Sequence, residues 1–522
     1  MTMVDEVARV LEQAPGRSAR EVRDALRAGG RVSVTVADVA RLLDRFPARF
    51  RADDTDRARW WPVERRAAGR GGVEPRREPC TPTGWSGSPA PYRWQVEALA
   101  AWRRQGGRGV IEAVTGTGKT MLGVATARVE LSGGGQVCVL VPTTELLRQW
   151  RGVLAEHLPG HTSVGLLGGG HHDSLGHHDV LVAVVNSARE ADLAPRRPGG
   201  LLVADECHRY GSEGNRLALE ARFARRLGLS ATYARADDGH LAWLDPYFGT
   251  TCFRMGYRRA IDDGVTARFT VALVGVELAA AERGAYDELS EAMASARARL
   301  LASGLVPAEP IGACLEAISR LARAGDGELA ATARLYLWAM QERRRLLAET
   351  PAKTDALRGL APALARADRV IVFTQSIAAA ERAAATLAAE GLRAATVHSG
   401  LDPRSRRSAL DRFGAGELDV LAAPQVLDEG VDVPAADVAV ILAASLSRRQ
   451  MVQRMGRVLR RKPDGRLARF VIVSVEGTVE DPARGAHGCF LDEVTAVADS
   501  VHTFAPGTPG AQVCAFVDRI RT

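Results

Sequence analysis

The segment AVTGTGKT, from Ala113 to Thr120, restricts the possible folds of this chain more than any other. It follows the apolar run GVIE and precedes MLGVATARVEL, so a strand, a glycine turn and a helix stand in immediate succession. Gly116 and Gly118 let the backbone aim its amides at one point, and the helix that follows adds the positive end of its dipole. The product is a cradle for phosphate, lined by Ala113, Thr115, Gly116, Thr117 and Gly118. Lys119 can set a point charge on the outer phosphates of a nucleotide, and the Thr120 hydroxyl can bind magnesium. A glycine turn without a ligand would not need this combination of strand, spacing, Lys, Thr and helix.

A second apolar strand, LLVA, ends in DECH, Asp205 to His208. Ligands of parallel α/β sheets sit beyond the carboxyl ends of the strands, where a carboxylate leaving this strand would meet the phosphate cradle. Asp205 is then the expected magnesium ligand, and Glu206 the group that orients or deprotonates the attacking water. Alone, a DE pair after a strand could be a helix cap; beside AVTGTGKT it completes a hydrolytic site.

Short apolar strands alternate with helical stretches in two blocks, GVIEAV to GLLVADE and RVIVFT to RFVIVSV. Such alternation predicts α/β architecture with two parallel-sheet lobes. The expected lobes span 90–275 and 351–480, separated by a helical insertion over 276–350 and followed by an extension, 481–522. Residues 65–89, rich in Arg, Gly and Pro, read as a flexible linker. Residues 1–64 read as three helices and a hairpin. Val7 and Leu11 share one helical face, Ser18 and Glu21 form a capping box before Val22 and Leu26, and Val39 and Leu43 repeat in a third helix. This order resembles a winged helix, with two open roles: contacting DNA, or binding a protein partner, since Asp38 and Asp44 offset Arg41 and Arg45.

Over the 522 residues, Lys and Arg exceed Asp and Glu by 69 − 62 = 7, which permits a phosphate-bearing partner without requiring one. The 7 cysteines include no CxxC pair, which argues against a zinc module or disulfide framework. No basic leader or run of ~20 apolar residues is present, so a cytoplasmic protein with no membrane partner is expected. GGGHHDSLGHHD, with His171, His172, His177 and His178, reads as a plain loop, because adjacent histidines point apart.

With these residues in place, the chain resembles a superfamily 2 helicase of the DExH type. Gln95 in PYRWQVEAL resembles the adenine-reading glutamine, with Trp94 near the base. VPTTELLRQW (141–150) resembles motif Ia; Ser230 and Thr232 of LSAT resemble motif III, which couples the pocket to the nucleic-acid track. DEGVDVP (428–434) resembles motif V, placing Gly430 and Asp432 on the nucleotide, and QRMGRVLR (453–460) resembles motif VI. LLRQW, DECH, AIDDGV and SRRQMVQRMGRVLRR together most resemble the XPB-like branch, bacterial members included, which implies DNA and 3′ to 5′ travel. Tyr233 replaces the usual proline after motif III, Pro424 stands where a threonine precedes motif V, and there is no Arg-Glu-Asp element.

The resemblance implies ATP and Mg2+ as cofactors, with Arg457 and Arg460 as arginine fingers and Gln453 positioning water. Chemically, an arginine delivered across a cleft to the γ-phosphate is worth on the order of 10³ to 10⁵ in rate. By the same analogy Thr143, Ser187, Thr374 and Ser399 face a nucleic-acid track; a hydroxyl at each place serves equally as a turn cap. The expected activity is a DNA-stimulated ATPase that unwinds or translocates. Alternatives are an RNA helicase, a non-unwinding translocase in a repair or defence complex, and a DNA-binding scaffold with a vestigial motor.

Overall fold

The computed structural model describes residues 90–235, 237–309, 311–424, 435–442, 465–484 and 494–518 continuously. It also describes single positions elsewhere, among them parts of 1–62 and Gly456, Val458, Leu459 and Leu491. The chain forms two compact units, Met1–Gly72 and Val73–Thr522. In the first, β1 (Arg17–Ser18), β2 (Phe50–Ala52) and β3 (Arg59–Pro62) make an antiparallel sheet in the order β1–β3–β2. The hairpin is therefore β2–β3, while Ser18, read as a helix cap, is a strand residue opposite Arg59. Val7, Leu11, Val22, Leu26, Val39 and Leu43 are helical and buried, in keeping with their spacing. The linker, 65–89, lies outside the described residues.

The second unit holds two sheets. The first comprises β4 (Arg108–Ala113), β5 (Val137–Val141), β6 (Val164–Gly168), β7 (His171–His172), β8 (Val180–Val184), β9 (Leu201–Ala204), β10 (Arg225–Ser230) and β11 (Thr251–Met255). Their order is β11–β4–β10–β9–β5–β8–β6–β7, and every pairing is parallel except β6 with β7. Strands such as VCVLV are buried along their whole length, as a parallel sheet covered on both faces demands. Helices α1 (Arg93–Arg104), α2 (Lys119–Ser132) and α3 (Thr144–His157) bring Trp94, Trp102, Leu122 and Trp150 to one core. The core on the other face, with Tyr210, Phe223 and Phe248, includes residues of short helical turns.

The second sheet contains β12 (Phe269–Val276), β13 (Val370–Thr374), β14 (Ala394–Thr396), β15 (Val420–Pro424), β16 (Val438–Ile441), β17 (Ala468–Val475) and β18 (Ser500–Phe504). All pairings are parallel, in the order β14–β15–β13–β16–β17–β12–β18. This moves the lobe boundary expected at 275: β12, FTVALVGV, lies between β17 and β18 in the second sheet. An eight-residue strand buried nearly throughout needs a parallel neighbour on each side, and β17 supplies eight consecutive register pairs. The C-terminal extension likewise contributes β18 to the sheet edge.

Between β12 and β13 stand α4 (Ala280–Ala302), α5 (Ile311–Arg323), α6 (Glu328–Glu349) and α7 (Pro351–Leu364). The first three enclose their own small core of Met293, Leu300, Cys314, Ile318 and Tyr336. Within LYLWAM (335–340) of α6, Tyr336 and Ala339 pack inward while Trp338 is exposed. The base of the insertion is tied to the loop after β17: Arg283 donates to the Glu476 carbonyl at 2.7 Å, and the Val479 amide donates to the Tyr286 hydroxyl at 2.9 Å.

Beneath this junction Lys353, at the start of α7, donates to the Leu442 carbonyl at 2.7 Å and pairs with Glu480 at 2.7 Å, both side chains being almost fully buried. Removing one member strands the other charge in the core. Lys353→Ala is expected to lower stability by about 3–5 kcal/mol in urea denaturation, whereas Lys353→Met combined with Glu480→Leu recovers most of the loss.

Candidate nucleotide site

Strand β4 delivers the chain into the phosphate loop, and α2 carries it away. Gly116 and Gly118 adopt φ of 80° and 86°, the left-handed region that a side chain would strain, so the loop can turn its amides inward. The loop is braced from inside: Thr117 Oγ1 donates to the Val114 carbonyl at 2.8 Å. Gln95 joins it from α1, donating through Nε2 to the Gly118 carbonyl at 3.1 Å, while its Oε1 accepts the Tyr92 amide at 2.8 Å. Trp94 is fully buried and stacks on Phe253, so it belongs to the core and does not lie beside a base.

Lys119 folds back beneath the loop, donating to the carbonyls of Ala113 at 2.7 Å and Val114 at 3.3 Å. Burial pushes its pKa down, opposed by the nearby charges of Glu206 and Asp205. Thr120 is half-buried in the first turn of α2. Asp205 follows the end of β9, as parallel-sheet geometry requires. Its Oδ2 accepts the Trp150 indole N–H at 2.8 Å and its Oδ1 accepts the Glu206 amide at 3.0 Å. Burial raises the Asp205 pKa, against the opposing effects of the Trp150 bond and the Lys119 charge. Hydroxyl and carboxylate oxygens are the donor set that magnesium prefers, so Thr120 and Asp205 fit that ion.

Glu206 is one of two non-glycine residues with positive φ among the described residues, at 47°. That conformation is uncommon for a side chain of its size, and it sets the Glu206 carboxylate 3.3 Å from His208 Nδ1. The same nitrogen lies 3.0 Å from Ser230 Oγ, which donates to the Thr232 carbonyl at 2.9 Å and accepts the Thr232 amide at 3.1 Å. Polar contacts therefore lead from Glu206 past His208 to LSAT. The sequence reading missed His208 as a linker and Trp150 as a partner of Asp205, because both contacts depend on which strands neighbour one another.

Tyr233 shows why a proline is absent after LSAT. Its amide donates to Glu112 Oε1 at 3.0 Å and its hydroxyl to Asp245 at 2.7 Å. Proline has no such N–H.

Gly456 brings the second lobe to this site. Any Cβ placed there would overlap the Thr115 side chain, so the Gly456 backbone lies directly on the phosphate loop. Two positions on, Val458 is buried, and the Leu459 carbonyl accepts the Ala267 amide at 2.8 Å. Gln453, Arg457 and Arg460, like Gly430 and Asp432, lie outside the described residues.

The expected track residues divide. Thr143 caps α3, its hydroxyl accepting the Leu146 amide at 3.3 Å. Thr374 is fully buried and donates to the Ser376 carbonyl at 3.0 Å, so it serves the turn and offers nothing to a strand of nucleic acid. Ser187 is half-buried in a helical turn beside Gly168, and Ser399 is exposed.

Two parallel sheets carrying a phosphate loop, a DECH strand end and Gly456 against the loop are the features of a superfamily 2 helicase, and the chain is similar to such proteins in two regions. Residues 88–235 match the family of the type III restriction enzyme res subunit, and residues 352–462 match the helicase conserved C-terminal domain. The chain is 29% identical to the DNA 3′-5′ translocase XPB2 of Sulfurisphaera tokodaii over 74% of its own length and 82% of the relative's. It is 26% identical to the DNA 3′-5′ helicase XPB of Kineococcus radiotolerans, over 77% of this chain and 62% of that one. Against two archaeal Rad25 relatives it spans about half of their length. Among solved structures, S. cerevisiae Dbp5 bound to RNA and ADP BeF3 shares the fold, with a TM-score of 0.52, 14% identity and coverage of 83% of this chain and 94% of that one.

Because Gly456 abuts Thr115, Gly456→Ala is expected to prevent close approach of motif VI and to lower the maximal ATPase rate by about a hundredfold. Affinity for a fluorescent ATP analogue, held mainly by the first lobe, should change little; a large loss of that affinity would count against the interlobe role.

Proposed function

We propose that this chain is a nucleic-acid-stimulated ATPase that moves 3′ to 5′ along DNA and separates or remodels the duplex. The observation that carries this reading is the contact of Gly456, the residue before Arg457 in the sequence, with Thr115 of the phosphate loop. In this reading Lys119 leaves its carbonyl partners to neutralise the β- and γ-phosphates. Thr120 and Asp205 would hold magnesium, which when bound neutralises charge on the transferring phosphoryl group. Glu206 orients the attacking water, and Arg457 and Arg460 stabilise charge in the transition state, with Gln453 assisting the water. Loss of the γ-phosphate frees the fingers, and the chain Glu206–His208–Ser230–Thr232 passes the change toward the strand-binding side.

DNA is favoured over RNA by the XPB names of the similar relatives, and by those names alone. No helix among the described residues is long and apolar enough to cross a membrane. The first unit, with helical positions and a β1–β3–β2 sheet compatible with a winged helix, is read as the targeting module for DNA or a protein partner.

ATPase assays against single-stranded, forked and duplex DNA and matched RNA test the reading. DNA is expected to stimulate hydrolysis more than RNA, with stimulation falling as salt rises; stronger stimulation by RNA would reverse the substrate assignment. Arg457→Ala should slow hydrolysis by on the order of 10³ with nucleotide affinity retained, whereas equal loss of both would remove its role as a finger. Lys119→Ala should abolish hydrolysis, and normal turnover in that variant would refute the pocket.

A further inference from the structure

Three tryptophans of the first lobe, Trp94, Trp102 and Trp150, are buried, and their indole N–H groups have different fates. That of Trp94 has no hydrogen-bond partner, and that of Trp102 donates to the Arg226 carbonyl at 3.1 Å. Trp150, 1% exposed, donates at 2.8 Å to Oδ2 of Asp205, the carboxylate assigned to magnesium. A buried donor on a buried carboxylate makes a stronger bond than one between neutral groups.

The route of the indole to this carboxylate is built into two other elements. Trp150 lies on α3 and must pass α2, the helix of the phosphate loop, to reach the end of β9. It passes at Gly123, where an added Cβ would stand 2.6 Å from Trp150 Cη2 and 3.2 Å from Val203 Cγ1. A glycine inside a helix costs about 1 kcal/mol relative to alanine, so its presence where the indole crosses is accounted for by the space the ring needs. At its far end the carboxylate is held twice, through Oδ2 by Trp150 and through Oδ1 by the Glu206 amide. Each carboxylate oxygen has two lone pairs, so one bond at each fixes the orientation and leaves a lone pair free for a cation.

We infer that Trp150 is a positioning residue: its indole N–H orients the Asp205 carboxylate for magnesium, and Gly123 is the notch that lets it do so. The inference rests on the nucleotide-site reading above. It adds a mechanical consequence. Trp150 lies two helical turns along α3 from its cap at Thr143, a span of about 10 Å, so displacement of the α3 N-terminus is delivered to the metal-binding carboxylate through a rigid ring.

The test replaces the N–H while keeping the ring. In the full chain, Trp150 is exchanged for benzothienylalanine, in which sulfur stands for the indole nitrogen, and separately Trp150→Phe is made. Binding of a fluorescent ATP analogue is titrated with magnesium, and repeated with the metal chelated. In the sulfur variant the half-saturating magnesium concentration is expected to rise about ten- to a hundredfold, with metal-free nucleotide affinity and melting temperature unchanged. In an Asp205→Ala background the same exchange should cause no further shift. Trp150→Phe should reproduce the magnesium shift, with a lower melting temperature from lost packing. An unchanged magnesium midpoint in the sulfur variant, or an equal loss of metal-free affinity, overturns the inference and leaves only a packing role. If the unsubstituted chain itself shows no magnesium-dependent nucleotide binding, the nucleotide-site reading fails, and the inference with it.

Discussion

Lys119 is held under its own loop by the Ala113 and Val114 carbonyls, while its charge faces Asp205 and Glu206. An ammonium removed from water in this way is tolerable only where acceptors and opposite charges converge on it. Those acceptors come from the end of β4 and the carboxylates from the end of β9, with β10 between them. Parallel order therefore matters at this one point above all others. It brings the phosphate loop, DECH and the LSAT strand to the same edge, where Lys119 meets the charges of Asp205 and Glu206 and His208 meets Ser230.

Around that point the molecule is stiff where chemistry needs stiffness. Asp205 is held at both oxygens, Gln95 is tied to the loop at Gly118, and Glu206 is kept in a left-handed conformation beside His208. The second lobe has a buried anchor of its own in Lys353 and Glu480. This anchor reaches the Leu442 carbonyl, just upstream of the segment that carries motif VI. The insertion rests on the same loop through Arg283 and Tyr286. Its separate core lets it act as one body on that base.

Much of the site could be read directly. The glycine turn, lysine and threonine of AVTGTGKT are contiguous, and their chemistry follows from local backbone geometry. The carboxylates of DECH required only the rule that ligands gather at strand ends. The Thr143 and Thr374 hydroxyls were harder, because a side chain that can touch phosphate can equally cap a turn, and the structure shows both engaged in turns. Trp94 was misread for a related reason: a tryptophan next to Gln95 on a helix points to a different side, here into the core against Phe253.

The strand–turn–helix units, the α/β class and the make-up of the phosphate cradle were legible in the chain, since all of these depend on neighbours along it. That β12 leaves the first lobe to pair with β17 and β18, and that Trp150 reaches Asp205 across Gly123, emerged from the folded structure alone. Both are contacts between segments far apart in the chain. No period or spacing encodes them, because they arise from which apolar faces can be buried together once the sheets have formed.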